Sequence, residues 1–433
     1  MKLSTVDKLI TLASKIMYVV VKKRTSLDRA FQEVVKGRGR REYSKVPHAL
    51  LYRLCRNVAR DYIAITHYLT KFAKRRRLSM RLVIKAWIAL KGDELFDEAV
   101  VRSVRKKLAL PHQSIEEAAS EASDEVERMV LRYSFPRWFV KELLSYFGND
   151  ECERMLSALN KEVLWIRVNT LKNDIDRIVK ILESRGMVIE ADKELPYMLK
   201  VKEFETPIQY IDLVRQCDIV LQDKASAIAV EELDPEPNDV VLDVAAAPGI
   251  KTSLIMQLTE NRARVVAVDV SRERVARMRR LLRCLGVDID RIDIVVGDST
   301  KGFVRGCISK ALVDAPCSGS GTVGRDPATK IHLVDRGWVL QLINIQRSML
   351  GAALATAETT LYAVCSVLPS EAEENVAAYS ELLQAPRFRG APGLLGLGRR
   401  VSRFYPHIHG THGFFIAKLC RGAQIRLLST RYR

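Results

Sequence analysis

The sequence predicts an α/β protein: a Rossmann-like, doubly wound sheet preceded by an all-helical N-terminal domain and a small α+β middle segment. Three observations carry this expectation. From Val6 to about Leu110 apolar residues recur at three- and four-residue spacings, as in Leu50, Leu51, Leu54, Val58, Tyr62 and Ile65, the period of amphipathic helices. After Cys217 short β-rich runs alternate with helical stretches, the rhythm of a parallel sheet flanked by helices. Between these two parts the chain mixes both periods.

Taken in order, the helical part gives way to an acidic stretch, Glu116 to Glu127, expected as a linker or an exposed helix. The middle segment predicts a helix near Asp150 to Asn160, a strand around Val163 to Val168 and a helix near Asp174 to Arg185. Strands of the main sheet are expected at Val240 to Val244, Arg264 to Val268, Ile292 to Val296, Ala311 to Val313 and Thr360 to Val364. Helices should start near Thr252, Arg272, Gln341 and Glu371, and Gly413 to Leu419 reads as a late strand entered through a glycine turn. The domains expected are 1–125, 126–215 and 216–421, followed by a basic tail at 422–433.

The 433-residue chain has a formal net charge of +18. Residues 1–110 hold 27 Lys and Arg against 9 Asp and Glu, while the remainder holds 43 of each, so the whole excess is N-terminal. Clusters such as Lys36 to Arg41 and Lys74 to Arg77 suit neutralisation of phosphates, the source of sequence-independent affinity for nucleic acid. No apolar run approaches the ~20 residues of a membrane-spanning helix, and a cytoplasmic monomer is expected. Eight cysteines without a Cys-x-x-Cys pair or a secretory signal argue against a disulfide framework and structural zinc. Cys55, Cys152, Cys217, Cys284, Cys307 and Cys420 are expected as buried small hydrophobes. No metal is expected, and His407, His409 and His412 read as a turn or as RNA contacts.

Val240-Val-Leu-Asp243-Val-Ala-Ala-Ala-Pro-Gly249-Ile-Lys251-Thr252 is a strand running into a small-residue turn and a helix. Small residues let the backbone approach a ligand at the carboxyl edge of the sheet, where doubly wound folds bind cofactors. The Gly-x-Gly-x-x-Gly of a nicotinamide site is missing. Asp269 ends the next strand and suits ribose hydroxyls; Asp298 ends the one after and suits an adenine amine. One strand-end acid often only caps a helix, but three sites at successive strand ends point to a nucleoside-type cofactor.

Asp314-Ala-Pro-Cys317 and Cys365-Ser366 fall at two further strand ends, so two thiols converge on one cleft beside a carboxylate. A ring carbon such as C5 of cytosine is a poor nucleophile until something adds at C6. A thiolate can add there, which makes C5 enamine-like and able to take a methyl group from S-adenosylmethionine. Asp314 is placed to bond the N3 and N4 edge of the base. A populated thiolate needs electropositive surroundings or a helix N-terminus; Lys251, Arg325 and the helix expected after Pro369 are the candidates.

With these residues on the page, the chain resembles the Nol/Nop/Sun family of RNA cytosine-5 methyltransferases from about Tyr133 to Arg421. The matching landmarks are Phe135-Pro-Arg-Trp138, Arg167-Val-Asn-Thr-Leu-Lys172, Leu221-Gln-Asp-Lys-Ala-Ser226, the Asp243 to Thr252 turn, Asp314 to Gly321 with Arg325, Tyr362 to Ser366 with Glu374-Asn375, Arg403 to His407, and Gly413 to Ala417. The resemblance implies a class I methyltransferase fold, S-adenosylmethionine as cofactor and RNA, ribosomal before transfer, as partner. It implies that Cys365 attacks C6 and that Cys317 assists release of the methylated RNA. By the same resemblance Ala245, Ala246, Ala247, Pro248, Gly249, Ile250, Lys251, Asp269, Arg274, Asp298 and Asp314 line the cofactor site. The chain departs from the family pattern at Ala245, usually Cys, at Ile250, usually Gly, and at Val364, usually Thr or Ser. The N-terminal domain resembles, more weakly, a NusB-like RNA-binding domain, and the middle segment a small RNA-recognition-like extension. The rival reading is a ribosome-assembly scaffold with a vestigial cofactor site; retention of Cys317, Cys365 and Asp314 together disfavours it.

Overall fold

The computed structural model describes residues 3–36, 46–112, 114–203, 208, 211–302 and 308–421. Cys307, most of the Lys36 to Arg41 cluster and the 422–433 tail lie outside the described residues. The chain forms two compact units, Met1–Glu162 with Thr322–Val339, and Val163–Gly321 with Leu340–Arg433.

The first unit is helical: α1 (Leu3–Lys23), α2 (Leu27–Lys36), α3 (His48–Lys71), α4 (Met80–Lys91), α5 (Glu98–Leu108), α6 (Ile115–Ser120), α7 (Glu125–Tyr133) and α8 (Arg137–Leu159). Its periodic apolar residues form one core, with Leu9, Ile16 and Val20 among Leu51, Leu54, Val58, Ile84 and Trp87. Burying each large side chain contributes on the order of 1.5–3 kcal/mol. Ser79, Ser114 and Asp124 accept the backbone N–H of Leu82, Glu117 and Glu127, which fixes the starts of α4, α6 and α7.

The acidic stretch forms α6, with Glu116 and Glu117 exposed, and the start of α7, where Glu127 is not. Glu127 is buried at 2 % exposure, 2.8 Å from His67 and paired with Lys71. Burial alone would raise its pKa; hydrogen bonds from Lys71, His67 and Ser123 outweigh it and hold the carboxyl well below the usual range. Composition shows the charge of such a stretch but not its partners on α3. In the Thr322–Val339 segment Lys330 is wholly buried. Its ammonium donates to the carbonyls of Arg60 and Tyr133 at 2.8 and 2.7 Å and lies 4.4 Å from the Phe135 ring centre.

The second unit begins with β1 (Leu164–Val168), α9 (Ile175–Ser184), β2 (Val188–Ala191), β3 (Met198–Glu203), α10 (Asp212–Arg215) and β4 (Ile219–Leu221). These strands form an antiparallel sheet in the order β2-β3-β1-β4. Then follow α11 (Lys224–Leu233), β5 (Val240–Asp243), α12 (Ile250–Leu258), β6 (Arg264–Asp269), α13 (Arg272–Cys284), β7 (Ile292–Val296) and β8 (Ile308–Asp314). After α14 (Ala328–His332) come α15 (Arg336–Thr356), β9 (Ala357–Val364), α16 (Glu373–Val376), β10 (Leu383–Gln384), β11 (Ala391–Gly393), β12 (Gly398–Phe404), α17 (Pro406–His409) and β13 (Phe414–Cys420).

Among the described residues the main sheet has the order β11-β12-β13-β9-β8-β5-β6-β7, with β10 beside β13. The strands β5 to β9 are parallel, and β13 is antiparallel to β9. The chain runs outward from β5 through β6 and β7 and returns to β8 on the other side of β5. The crevice beyond the carboxyl ends of β5 and β8 is thus the topological switch point, where open α/β sheets take their ligands. The apolar runs are buried because helices cover both faces: Val241, Val265 and Leu312 pack with α12 residues such as Leu254 and Ile255.

Two expectations are corrected here. Cys217 and Cys284 form a disulfide rather than staying reduced. They are 67 residues apart, and Asn169 brings their segments together by donating to the carbonyls of Cys217 and Leu285 at 2.8 and 2.9 Å, which sequence spacing cannot reveal. Closing a loop of that length stabilises by about 4 kcal/mol on chain-entropy grounds. The helix expected to start near Glu371 is broken into a 3-10 turn at Pro369–Glu371, the one-turn α16 and a 3-10 segment at Ala377–Leu382. It is too short to present a helix dipole to Cys365.

Candidate active site

The cofactor side of the crevice is built from short-range turns. Beyond β5, Ala246 N–H donates to the Val268 carbonyl at 2.8 Å and Gly249 N–H to the Ala246 carbonyl at 2.7 Å, so the Ala245-Ala246-Ala247-Pro248 turn folds across the end of β6. Gly249 has φ +102°, and a Cβ there would meet Met278 Cγ at 2.9 Å; the turn needs a residue without a side chain. Ile250 and Lys251 open α12 directly afterwards.

Asp269, buried at the end of β6, accepts Ser271 N–H at 3.0 Å. Its other oxygen lies 3.3 Å from Arg274 Nη2, and Arg274 also donates to the Ala247 carbonyl, tying the turn to α13. Asp298 is bonded only locally at its Oδ1, by Thr300 N–H at 3.1 Å and Thr300 Oγ1 at 2.7 Å. The Thr300 hydroxyl, seconded by its amide, holds the Asp298 carboxyl below its ordinary value. Asp243 is buried, takes the Thr252 hydroxyl at 2.7 Å on one oxygen and leaves the other without a partner. Burial, with some repulsion from Asp314, pushes its carboxyl up to about 7.

The other side carries the thiols. The β8–β9 ladder aligns Asp314 with Ala363, so Cys317 and Cys365 leave neighbouring strand ends, and their sulfurs stand 3.0 Å apart. Both are partly exposed. The Cys317 pKa is raised well above the ordinary thiol value, first by its hydrogen bond to Cys365, then by burial and by the charges of Cys365 and Glu371. Either sulfur can be the donor in this contact. Lys251 Nζ lies 2.6 Å from Asp314 Oδ2 and 5.6 Å from the Phe414 ring centre. Burial works against its charge, but Asp314, helped by Cys365 and Asp243, holds its pKa above the ordinary value.

These contacts depend on close backbone packing. Gly321 N–H donates to the Cys365 carbonyl and Gly413 N–H to the Gly321 carbonyl, both at 3.0 Å. A Cβ on Gly321 would fall 1.9 Å from the Gly413 carbonyl oxygen. Below them Glu371, fully buried, accepts Ser318 N–H at 2.8 Å, Ser366 Oγ at 2.7 Å and Gln346 Nε2 at 2.9 Å.

The candidate residues thus lie at the carboxyl ends of β5, β6, β7, β8 and β9. Cys317 meets Cys365, Lys251 meets Asp314, and Arg274 joins Asp269 to Ala247. Arg325, expected near the thiols, belongs to the first unit. The Arg272 to Arg283 helix is mostly a solvated face, as its composition suggests. Sequence reasoning missed Glu371, Ser318, Ser366, Gln346 and Phe414. The repeated Ser after each Cys was visible; nothing local marked the glutamate that joins them.

Residues 230–420 match the family model described as 16S rRNA methyltransferase RsmB/F, and residues 135–209 match its RsmF/B-like ferredoxin-like domain. The chain is 30 % identical over 311 residues to ribosomal RNA small subunit methyltransferase B of Sodalis glossinidius, covering 69 % of each protein. It is 30 % identical to the 28S rRNA (cytosine(4447)-C(5))-methyltransferase of Homo sapiens, covering 67 % of this chain and 38 % of that one. The crystal structure of PH0851 aligns with a TM-score of 0.76 at 23 % identity, covering 95 % of this chain and 99 % of the other, a likeness of fold.

Proposed function

Since the chain belongs to the RsmB/F family of ribosomal RNA methyltransferases, within the Nol/Nop/Sun group, we propose that Cys365 is its nucleophile, Cys317 its release residue and Asp314 its base-holding carboxylate. It is an S-adenosylmethionine-dependent RNA cytosine-5 methyltransferase, and ribosomal RNA is its substrate class. The observation that carries the residue assignment is the 3.0 Å contact between the two thiols at neighbouring strand ends.

The residues around the crevice fit the cofactor. The Ala245 to Gly249 backbone turn is close-packed and small, Asp269 offers a buried carboxylate at the end of β6, and Asp298 an exposed one at the end of β7. Asp269 would hold the ribose hydroxyls and Asp298 the adenine amine, with Arg274 bracing the turn. Bound there, S-adenosylmethionine supplies an electrophilic methyl group to the crevice.

On the RNA, Asp314 accepts from the N4 side of the cytosine while Lys251, 2.6 Å from it, fixes the carboxylate and adds positive charge beside Cys365. Cys365 adds to C6 and the electron pair moves to C5, which becomes nucleophilic. Once C5 carries the methyl group, a water molecule acting as base takes the C5 proton; the pair of that C–H bond re-forms the C5–C6 double bond, and the Cys365–C6 bond breaks with its pair left on the Cys365 sulfur. Cys317, 3.0 Å from that sulfur, hydrogen-bonds the departing Cys365. The exposed Lys74 to Arg77 run on the helical unit supplies phosphate neutralisation for RNA affinity.

The test uses labelled S-adenosylmethionine and ribosomal RNA. Cys365→Ala should lose methylation entirely, while Cys317→Ala should accumulate a covalent protein–RNA species on a denaturing gel. Normal methylation by Cys365→Ala would overturn the assignment.

A further inference from the structure

Glu371 belongs to no part of the chemistry so far, yet it touches the residue after each thiol. Oε1 accepts Ser318 N–H at 2.8 Å and Gln346 Nε2 at 2.9 Å; Oε2 accepts Ser366 Oγ at 2.7 Å and Ser318 Oγ at 2.5 Å. These four donors occupy both oxygens, and no cation is among them. The carboxylate is 0 % exposed. A buried charge without a counter-ion is costly unless fully hydrogen-bonded, and here the bonds go to the two cysteine loops.

The β8–β9 ladder ends at Asp314 and Ala363, with one more bond from Ala315 N–H to the Ala363 carbonyl at 3.2 Å. Beyond it one backbone bond, Gly321 N–H to the Cys365 carbonyl at 3.0 Å, joins the loops, and the other links pass through side chains. Ser320 Oγ and Ser366 Oγ lie 2.9 Å apart, Val367 N–H donates to Ser320 Oγ at 3.1 Å, and Leu368 N–H donates to Ser366 Oγ at 3.1 Å. Gln346 Nε2 also donates to the Pro316 carbonyl at 2.9 Å, one residue before Cys317, and its Oε1 accepts Asn375 Nδ2 at 2.9 Å. Glu373, two residues on, serves as contrast: it is equally buried but spends its charge on an ion pair with Arg403.

We propose that Glu371 is a positioning residue for the reaction: through Ser318 and Ser366 it sets the separation of the two sulfurs, and it places its negative charge beneath Cys317. The inference rests on the roles assigned to the two thiols above. The groups facing Cys317 are Cys365 and Tyr362 on the β9 side and Glu371 beneath; Lys251 and Asp314 face the Cys365 side. Among the causes acting on Cys317, the Glu371 charge raises its proton affinity and the Gly319 amide lowers it.

The decisive variant is Glu371→Gln, which keeps the shape and removes the charge. With Cys365→Ser in both proteins, thiolate absorbance of Cys317 is titrated against a Cys317→Ala blank. In the Glu371→Gln background its midpoint should fall by about one pH unit or more, the size of a nearby like-charge effect; an unmoved midpoint overturns the inference. In the otherwise native enzyme Glu371→Gln should lower kcat roughly tenfold to a hundredfold with the KM for S-adenosylmethionine unchanged. If that variant does not fold, Ser318→Ala and Ser366→Ala serve instead: reduced kcat at unchanged cofactor KM supports the positioning role, and native kcat in both overturns it. Methylation by Cys365→Ala would sink the thiol assignment itself, whereas an inert Cys365→Ala with an unmoved Cys317 titration would sink this inference alone.

Discussion

On the cofactor side of the crevice, carboxylates are placed by neighbours in sequence: Ser271 bonds Asp269 and Thr300 bonds Asp298, each two residues away, and Thr252 bonds Asp243 from nine. On the cysteine side the partners are distant: 63 residues separate Lys251 from Asp314, 48 separate the two thiols, and 53 separate Ser318 from Glu371. The first side is a series of strand-end turns, of which Arg274 ties the β5 and β6 turns together while the Asp298 turn is bonded within itself. The second is one network, in which groups sharing partners respond together. Substitutions at Asp269 and Asp298 should therefore add, and those on the cysteine side should not.

The comparison breaks most visibly at two glycines. Gly321→Ala drives a Cβ into the Gly413 carbonyl at 1.9 Å, backbone against backbone, and should cost about 3 kcal/mol or more with loss of methylation. Gly249→Ala meets only the flexible Met278 side chain at 2.9 Å, although at φ +102°, and should cost about 1–3 kcal/mol. Denaturant melts of the two proteins rank them; equal stability would show that the two sides are equally tight.

Next in size, Asp269→Ala removes a buried carboxylate and should raise the KM for S-adenosylmethionine about ten- to a hundredfold, the range for a lost charged hydrogen bond. Covalent trapping of RNA by Cys365 should persist in that variant. The smallest effect is expected at Asp298, whose side chain is 42 % exposed. Asp298→Asn should change that KM by roughly threefold or less, since water competes for the same bond. A double variant of Asp269 and Asp298 that departed strongly from the product of the single effects would contradict the independence of the β6 and β7 turns.

The cofactor side was legible because its signals are local. A β-rich run, small residues and Gly249 read as strand, turn and helix, and Asp243, Asp269 and Asp298 follow strand ends in register. The cysteine side was legible only as a list of reactive residues. Cys317, Cys365 and Asp314 announce chemistry, but the glutamate that joins their loops looks like a helix-start acid. The disulfide escaped for the same reason: Cys217 and Cys284 gain each other through Asn169, a residue of another element.

By itself the sequence determined what short-range physics dictates: the helical and alternating periods, the Gly249 turn, the strand-end acids, the N-terminal excess of positive charge and the presence of two thiols. Tertiary structure alone decided which side chains meet. Sheet order put β8 between β5 and β9, which brought Lys251 to Asp314 and Cys317 to Cys365. Burial then decided which charges are held by hydrogen bonds, as Glu371 is, and which by an opposite charge, as Glu373 is. Hydrogen bonds and desolvation act over a few ångströms in space, whatever the distance along the chain.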